Sequence, residues 1–466
     1  MSSKTTRVER DSMGEMKVPE EAYYGASTQR AVLNFPISDL RIPSRMIRAL
    51  GLLKWAAART NMDLGLLDAD KGEAIVRAAR EVADGKHDAE FVVDVFQTGS
   101  GTSSNMNANE VIANRAAEIL GAARGARDVV HPNDHVNAGQ SSNDIIPTSI
   151  HLAALLAIRE QLEPGLSILR SELEQKAEQF WDTIKTGRTH LQDATPIRMG
   201  QVFRGYAGQV ERAQRRVERA SEELAEVALG GTAVGTGINT HPEFSRRVCQ
   251  LVSEDAGVTI RESENHFQAQ ATLDGVVAAS GCLRTVAISL LKIANDIRFL
   301  ASGPRTGLRE LTIPEVQPGS SIMPGKVNPV IAESLIMVAG QVLAADQAIV
   351  QAGEWSYFEL NTMLPLAGHN LVQSIELLGT ASRNFAEKCI AGARVTEHGP
   401  EMVARGLAIV TGLVPLIGYD KAAAIAHEAA QTGQTVREVA EAETDLTPEQ
   451  LDAGLDPFKM TEPSGS

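Results

Sequence analysis

Positive charge, cysteine and aromatic side chains are all scarce in this sequence, and each scarcity narrows what the protein can be. Lys and Arg number 44 against 59 Asp and Glu, a formal charge of -15 over 466 residues. Such a field repels nucleic-acid phosphates and acidic lipid alike. No nucleic-acid partner is expected, and any anion site has to be built locally from loop amides, helix ends and a few cations. The three cysteines, Cys249, Cys282 and Cys389, lack the paired spacing of a zinc ribbon or redox motif and read as reduced core residues. No run of roughly 18 apolar residues is read along the chain, so no membrane partner is expected. The first twenty residues mix charges of both signs without the apolar stretch of a secretory leader. The expected setting is the cytoplasm.

Several familiar signatures fail on inspection. Gly319 to Lys326 is one residue too long for a phosphate-binding P-loop, and Val327 stands where a magnesium-binding hydroxyl belongs. His427-Glu428 is followed by Gln431 where a zinc protease has its second histidine, and Gly235-Thr236-Gly237 lacks the third glycine of a dinucleotide loop. Neither a metal nor a cofactor is called for.

With aromatics at 4%, long stretches are instead built from Ala, Leu, Ile, Val, Glu, Gln and Arg, mostly strong helix formers. A mainly α fold is expected. Val202, Phe203, Tyr206, Val210, Ala213, Val217, Ala220, Leu224 and Val227 recur at steps of three and four, which predicts one amphipathic helix of about eight turns. A second long pattern follows Pro147 toward Trp181, with Pro164 as a kink. Residues 278–300 and 330–352 are apolar on nearly every side, as in helices buried all round, either inside a large bundle or against copies of the chain. Shorter, Gly- and Asn-rich patterns precede Pro147, and polar ones follow Val395, ending in a loose tail at 460–466. The organisation read is an N-terminal domain (1–146), a central helix bundle (147–395) and a small C-terminal domain (396–466).

Four polar segments interrupt the helices, and loops on a rigid scaffold are where binding groups sit. Thr98 to Asn105 carries two glycines, with Ser100 and Thr102 as neutral donors where a helix begins. Such a start either caps the helix or cradles a carboxylate or phosphate. Gly139-Gln140-Ser141-Ser142-Asn143-Asp144 repeats the pattern, preceded by His131-Pro132-Asn133-Asp134. Gly187 to Pro196 holds Thr189 and His190, and histidine's ordinary pKa of about 6.5 suits it to acid or base work. Pro318-Gly319-Ser320-Ser321-Ile322-Met323-Pro324-Gly325-Lys326-Val327-Asn328-Pro329 leads straight into an apolar helix. Asn328 is the expected cap and Pro329 the first helical residue, so Lys326, Asn328 and the helix start would converge on concentrated negative charge. The bracketing Gly and Pro residues suit a loop that hinges over ligand.

Taken together, the four segments resemble the fumarase/aspartase superfamily, whose hallmark G-S-S-x-M-P-x-K-x-N-P is matched in full at 319–329. The likeness extends to Leu229-Gly230-Gly231-Thr232-Ala233-Val234-Gly235-Thr236-Gly237 and to Lys292-Ile293-Ala294-Asn295-Asp296. Within the superfamily the sequence is similar to the class II fumarate hydratases. Gly325, and Ser141-Ser142-Asn143-Asp144, distinguish it from the aspartate ammonia-lyases, the nearest alternative. The resemblance implies a hydro-lyase that interconverts fumarate and L-malate without metal or cofactor. It also implies a homotetramer with a core of about twenty helices and active sites shared between three subunits.

Family roles carried to matching positions make Ser320 the base that takes the C3 proton of malate. Lys326 and Asn328 hold the carboxylate that gains charge, and His190 serves the hydroxyl side, oriented by Glu333 of another subunit. Ser100, Thr102, Ser141, Ser142, Asn143, Thr189 and Ser321 become substrate-binding residues. His131, Asn133 and Asp134 resemble a second dicarboxylate site, with Asp128 where some relatives have an arginine. A lens-type structural role would show a broken catalytic set, whereas here the set is complete.

Overall fold

The computed structural model describes residues 5–463. Seventeen α-helices account for most of the described residues, and strand occurs only as five two-stranded pairs. The mainly α expectation holds. The periodic segment forms one helix, Met199–Leu224. Phe203, Tyr206, Val210, Ala213, Val217, Ala220 and Leu224 are all buried along one stripe of it, as the spacing of three and four requires. Val227 falls outside, because Glu226–Val227 pairs in parallel with Arg261–Glu262.

The second long helix starts earlier than expected, at Ser142 rather than after Pro147. It passes through a wide π turn, Ile158–Leu162, into Glu163–Gln179. That turn immediately precedes Pro164, which lacks an N–H and whose ring would strike the carbonyl four residues back in a regular helix.

The chain divides into two compact units, each assembled from three separate stretches. One comprises the stretch up to Pro164, Arg215–Ala287 and Gly340–Thr380; the other comprises Gly165–Gln214, Ile288–Ala339 and the stretch from Ala381 onward. In the first, helix Ser44–Asp63 packs on Ala69–Ala83, Ser142–Ala157 and Phe244–Ala256. Gly51 permits a close approach to Ala69–Ala83, since a Cβ there would lie 2.5 Å from the Ala83 backbone nitrogen. In the second unit, Leu413, Ile425, Val439 and Leu451 centre a C-terminal core against which Met460 packs. Arg198 Nε donates to Thr461 Oγ1 at 3.0 Å and Gln201 Nε2 to the Thr461 carbonyl at 2.8 Å. The chain at 460–461 is therefore anchored, contrary to the expected loose tail; residues 464–466 of that tail lie outside the described residues.

Helices Asp274–Leu300 and Val330–Glu354 are not buried on every side within the single chain. Each buries one stripe, including Val276, Leu283, Leu290 and Ile297 on the first, and leaves another open. Ile288 is 52% exposed, Phe299 51% and Met337 69%. Despite the absence of an unbroken apolar run, both are long and apolar enough to cross a membrane by length and composition. Buried Asp346 in the second accepts hydrogen bonds from Ser280 Oγ and Arg284 Nη1 of the first, at 2.7 and 2.8 Å. Of the cysteines, Cys249 and Cys389 are buried as expected, while Cys282 is only half-buried.

Candidate active site

The first two polar segments lie in one unit and are joined there by side-chain hydrogen bonds. Gly99 has its α-carbon pressed against the chain at Thr362, whose carbonyl oxygen a Cβ would meet at 1.8 Å. Two residues on, Gly101 turns at φ +73 into helix Thr102–Ile119 and supplies no cap of its own. Ser100 Oγ and Thr102 Oγ1 share a hydrogen bond of 2.8 Å at the mouth of that helix. From its second turn Asn105 Nδ2 donates to Ser142 Oγ at 3.0 Å.

Ser141 caps helix Ser142–Ala157 in a reciprocal box. Its Oγ accepts from Asn143 N–H, and its own N–H donates to Asp144 Oδ1 at 2.9 Å. The capping alternative is thus realised at Ser141, while Asn143 Nδ2 reaches the Ala233 carbonyl at 2.8 Å. Asp144 is fully buried, which pushes its carboxyl up to about 6. Three N–H donors, from Ser141, Gly230 and Thr232, keep it ionised at neutral pH. One carboxylate therefore ties the 139–144 turn to the glycine-rich 229–237 loop.

In the same unit His131, Asn133 and Asp134 gather on a π turn, Pro132–Val136. Arg127 Nη2 lies 2.7 Å from His131 Nε2. The His131 side chain caps this turn, its Nδ1 accepting from the Asn133 and Asp134 N–H groups at 3.2 and 3.1 Å. Burial and the Arg127 charge both push the His131 pKa down, consistent with a neutral ring.

The other unit carries the remaining two segments. Strands Ile184–Thr189 and Gln192–Arg198 form a hairpin. Its two-residue turn is His190 and Leu191, at φ +56 and +61. Both angles positive give the primed turn that suits the twist of a hairpin, at a steric cost that non-glycine residues bear only where the surroundings impose it. Thr189 and His190 are exposed at this tip. Arg188, one residue in, makes a bidentate pair with buried Glu310 at 2.8 and 3.1 Å, and Lys185 Nζ reaches the same carboxylate at 3.3 Å.

The 318–329 loop is mostly exposed and closed by its own backbone. Gly319 N–H donates to the Lys326 carbonyl at 2.8 Å. Ser320 Oγ accepts from Ile322 N–H at 3.2 Å and Met323 N–H at 2.8 Å. Two such donors favour the charged over the neutral form of an oxygen acid. Asn328 departs from its expected capping role, because its Nδ2 turns back to the Gly319 carbonyl at 2.6 Å. The helix then begins at Val330, with Pro329 just before it. Ser321 and Lys326 are exposed, and Glu333 sits in the first turn. Among the described residues no hydrogen bond or ion pair joins His190, Glu333 and Ser320 within one chain.

Sequence reasoning missed three groups: Arg127, Glu310 and Lys54. Lys54 is 0% exposed within helix Ser44–Asp63 and donates to Asn137 Oδ1 at 2.8 Å. A signal was present in Gly51-Leu52-Leu53-Lys54-Trp55-Ala56-Ala57, where a lone cation interrupts an apolar face.

Comparison with known proteins agrees with this geometry. Residues 14–344 match the Lyase family and residues 409–462 the Fumarase C C-terminus family. The class II fumarate hydratase of Halobacterium salinarum is 55% identical over 98% of both chains. That of Nitrosomonas europaea is 52% identical over 98% of this chain and 99% of its own. Among solved structures, the class II fumarase of Schistosoma mansoni superposes with a TM-score of 0.95 at 39% identity, over 98% of this chain and 99% of the other. A cobalt-bound fumarate lyase:delta crystallin of Brucella melitensis gives 0.94 at 44%, over 98% and 100%. Full-length identity of this degree, with the loop hallmark complete, makes the chain a member of the class II fumarate hydratase family.

Proposed function

We propose that this chain catalyses the reversible hydration of fumarate to L-malate, by anti addition of water through an aci-carboxylate intermediate, as a step of the tricarboxylic acid cycle. The observation that carries the reading is Ser320 Oγ held under two backbone N–H groups inside the complete 319–329 hallmark. A proton beside a carboxylate is weakly acidic, so a serine base needs its alkoxide stabilised, and the two amides supply that. Lys326 and Asn328 meet the charge that develops on the C4 carboxylate. Donors of this kind are each worth about 10²- to 10³-fold in rate. His190, oriented by Glu333 of another copy, serves the hydroxyl side; Thr189, Ser100, Thr102, Ser141, Ser142, Asn143 and Ser321 hold the carboxylates. His131, Asn133 and Asp134 form a second dicarboxylate site, which Arg127 supplements.

The reading includes a homotetramer whose sites draw on three copies. The open apolar faces around Ile288, Phe299 and Met337 favour it, because faces of that kind are covered by protein rather than water. It further includes a cytoplasmic location, with neither membrane nor nucleic acid as partner, in keeping with three unpaired cysteines and a charge of -15. Hydroxyls, amides and a lysine suit carboxylates rather than cations, which favours chemistry without a metal or cofactor. The three-part organisation with boundaries near 147 and 395 belongs to the same proposal.

The test is ultraviolet absorbance of fumarate, with purified protein offered L-malate or L-aspartate and a chelator present. Fumarate from malate alone supports the hydratase. Fumarate from aspartate alone makes the protein an ammonia-lyase, and a requirement for added metal refutes the metal-free chemistry.

A further inference from the structure

Lys54 is a fully buried cation that the proposed chemistry leaves unused. Its ammonium has three protons to donate, and it donates to Asn137 Oδ1 at 2.8 Å. An ammonium never accepts, so the Asn137 carboxamide must turn its oxygen toward Lys54 and its nitrogen toward the Gln140 carbonyl, 3.1 Å away. The oxygen so placed also receives Asn105 Nδ2 and Asn109 Nδ2, each at 3.2 Å. That contact settles the Asn105 carboxamide in turn, directing its NH₂ group to Ser142 Oγ at 3.0 Å. A hydroxyl that accepts there keeps its own proton for another acceptor. Reversal of any one amide would make Ser142 donate inward and withdraw that proton.

We propose that Lys54 is a positioning residue for the substrate-carboxylate pocket, orienting Asn137 and Asn105 so that the Ser142 hydroxyl donates to a bound carboxylate. The inference deepens the hydratase reading and rests on it for the identity of the ligand. Lys54 controls the polarity of four side chains without touching substrate, and it does so most firmly as a cation.

Burial pushes the Lys54 pKa down to about 7, while the Asp144 charge opposes the shift. Among the described residues, the charged group that opposes the shift is Asp144 of helix Ser142–Ala157. The group that meets it is the neutral Asn137 carboxamide, whose oxygen Asn105 and Asn109 of helix Thr102–Ile119 also share. A bound dianion favours the ammonium, so dicarboxylate affinity falls as pH climbs past neutrality and the charge is lost.

The test is the affinity of intact protein for succinate, a saturated dicarboxylate that cannot react, titrated calorimetrically from pH 6 to 9 for the wild type, Lys54→Met and Asn137→Asp. Wild-type affinity should weaken across this range. Lys54→Met should bind about tenfold more weakly at pH 6, the value of a hydrogen bond to a charged group, and lose the alkaline decline. Asn137→Asp places a carboxylate on the ammonium and should move the decline to higher pH. Wild-type affinity and pH dependence in folded Lys54→Met would overturn the proposal. So would an unmoved decline in Asn137→Asp, which decides the matter if the Met variant fails to fold. Malate turnover by the wild type tests the hydratase reading separately. If the wild type neither turns over malate nor binds succinate, that reading fails, and the orientation of Asn105 in a Lys54→Met crystal structure still decides the inference, with an unmoved carboxamide refuting it.

Discussion

Glu310 holds the hairpin that carries Thr189 and His190, and Glu310→Gln tests how firmly. The carboxylate is 1% exposed and accepts from Arg188 at both oxygens, at 2.8 and 3.1 Å, with Lys185 Nζ at 3.3 Å. Glutamine keeps one acceptor and turns an NH₂ group on guanidinium or ammonium protons, donor against donor. Removing one partner of a buried pair costs about 3–5 kcal/mol. Arg188 is 18% exposed and regains some water, which sets the expectation near 3 kcal/mol, or about a hundredfold in the unfolding constant.

The penalty has a pH signature. Burial already holds the Lys185 pKa below its ordinary value, with Glu310 opposing the shift. Without Glu310 the folded pKa drops further, so over the interval up to the unfolded value near 10.4 the unfolded chain binds more protons, and stability rises with pH. The deficit of the variant should therefore be largest at neutral pH and shrink toward pH 10. Urea unfolding at several pH values, with hydrogen exchange read across 184–198, measures both effects. A deficit below about 1 kcal/mol, the worth of an exposed ion pair, would refute the reasoning, as would one that grows with pH.

Ser320→Ala should leave a folded protein with malate turnover lower by about 10²- to 10⁴-fold, the range for a positioned base; near-normal steady-state rates would remove Ser320 from that role. Lys326→Met should lower kcat as well as raise KM, and a rise in KM alone would mean that Lys326 binds substrate and transition state equally. His190→Asn is expected to erase one limb of the pH–rate profile, so an unchanged profile would assign that limb elsewhere. Gly99→Ala would drive a Cβ to 1.8 Å from the Thr362 carbonyl, and a thermal midpoint equal to the parent's would show that the close approach can relax.

Legibility in the sequence followed the range of the interaction. Helix Met199–Leu224 was readable because its stripe is a local period. The 319–329 hallmark was readable because its chemistry is consecutive. The fold-back of Asn328 onto Gly319 was not, since capping and loop closure use the same carboxamide and only the path of the loop chooses. The Arg127–His131 contact was not readable either, since Arg127 reaches the ring through the length of its side chain, which no register reveals. Pro164 announced a break but not its form, the π turn at Ile158–Leu162. Glu310 lies more than a hundred residues from the strand that it anchors, and no local pattern connects them.

The interleaving of the two units bears on synthesis. Because one unit needs residues up to Thr380 and the other the stretch beyond Ala381, neither is complete while most of the chain is still being made. At about 5–20 residues per second, the ribosome takes about 20–80 s to reach residue 380. Throughout that interval the nascent chain displays apolar stripes whose partners do not yet exist, a standing demand on holding chaperones. A single cut in the finished protein, by contrast, frees neither unit.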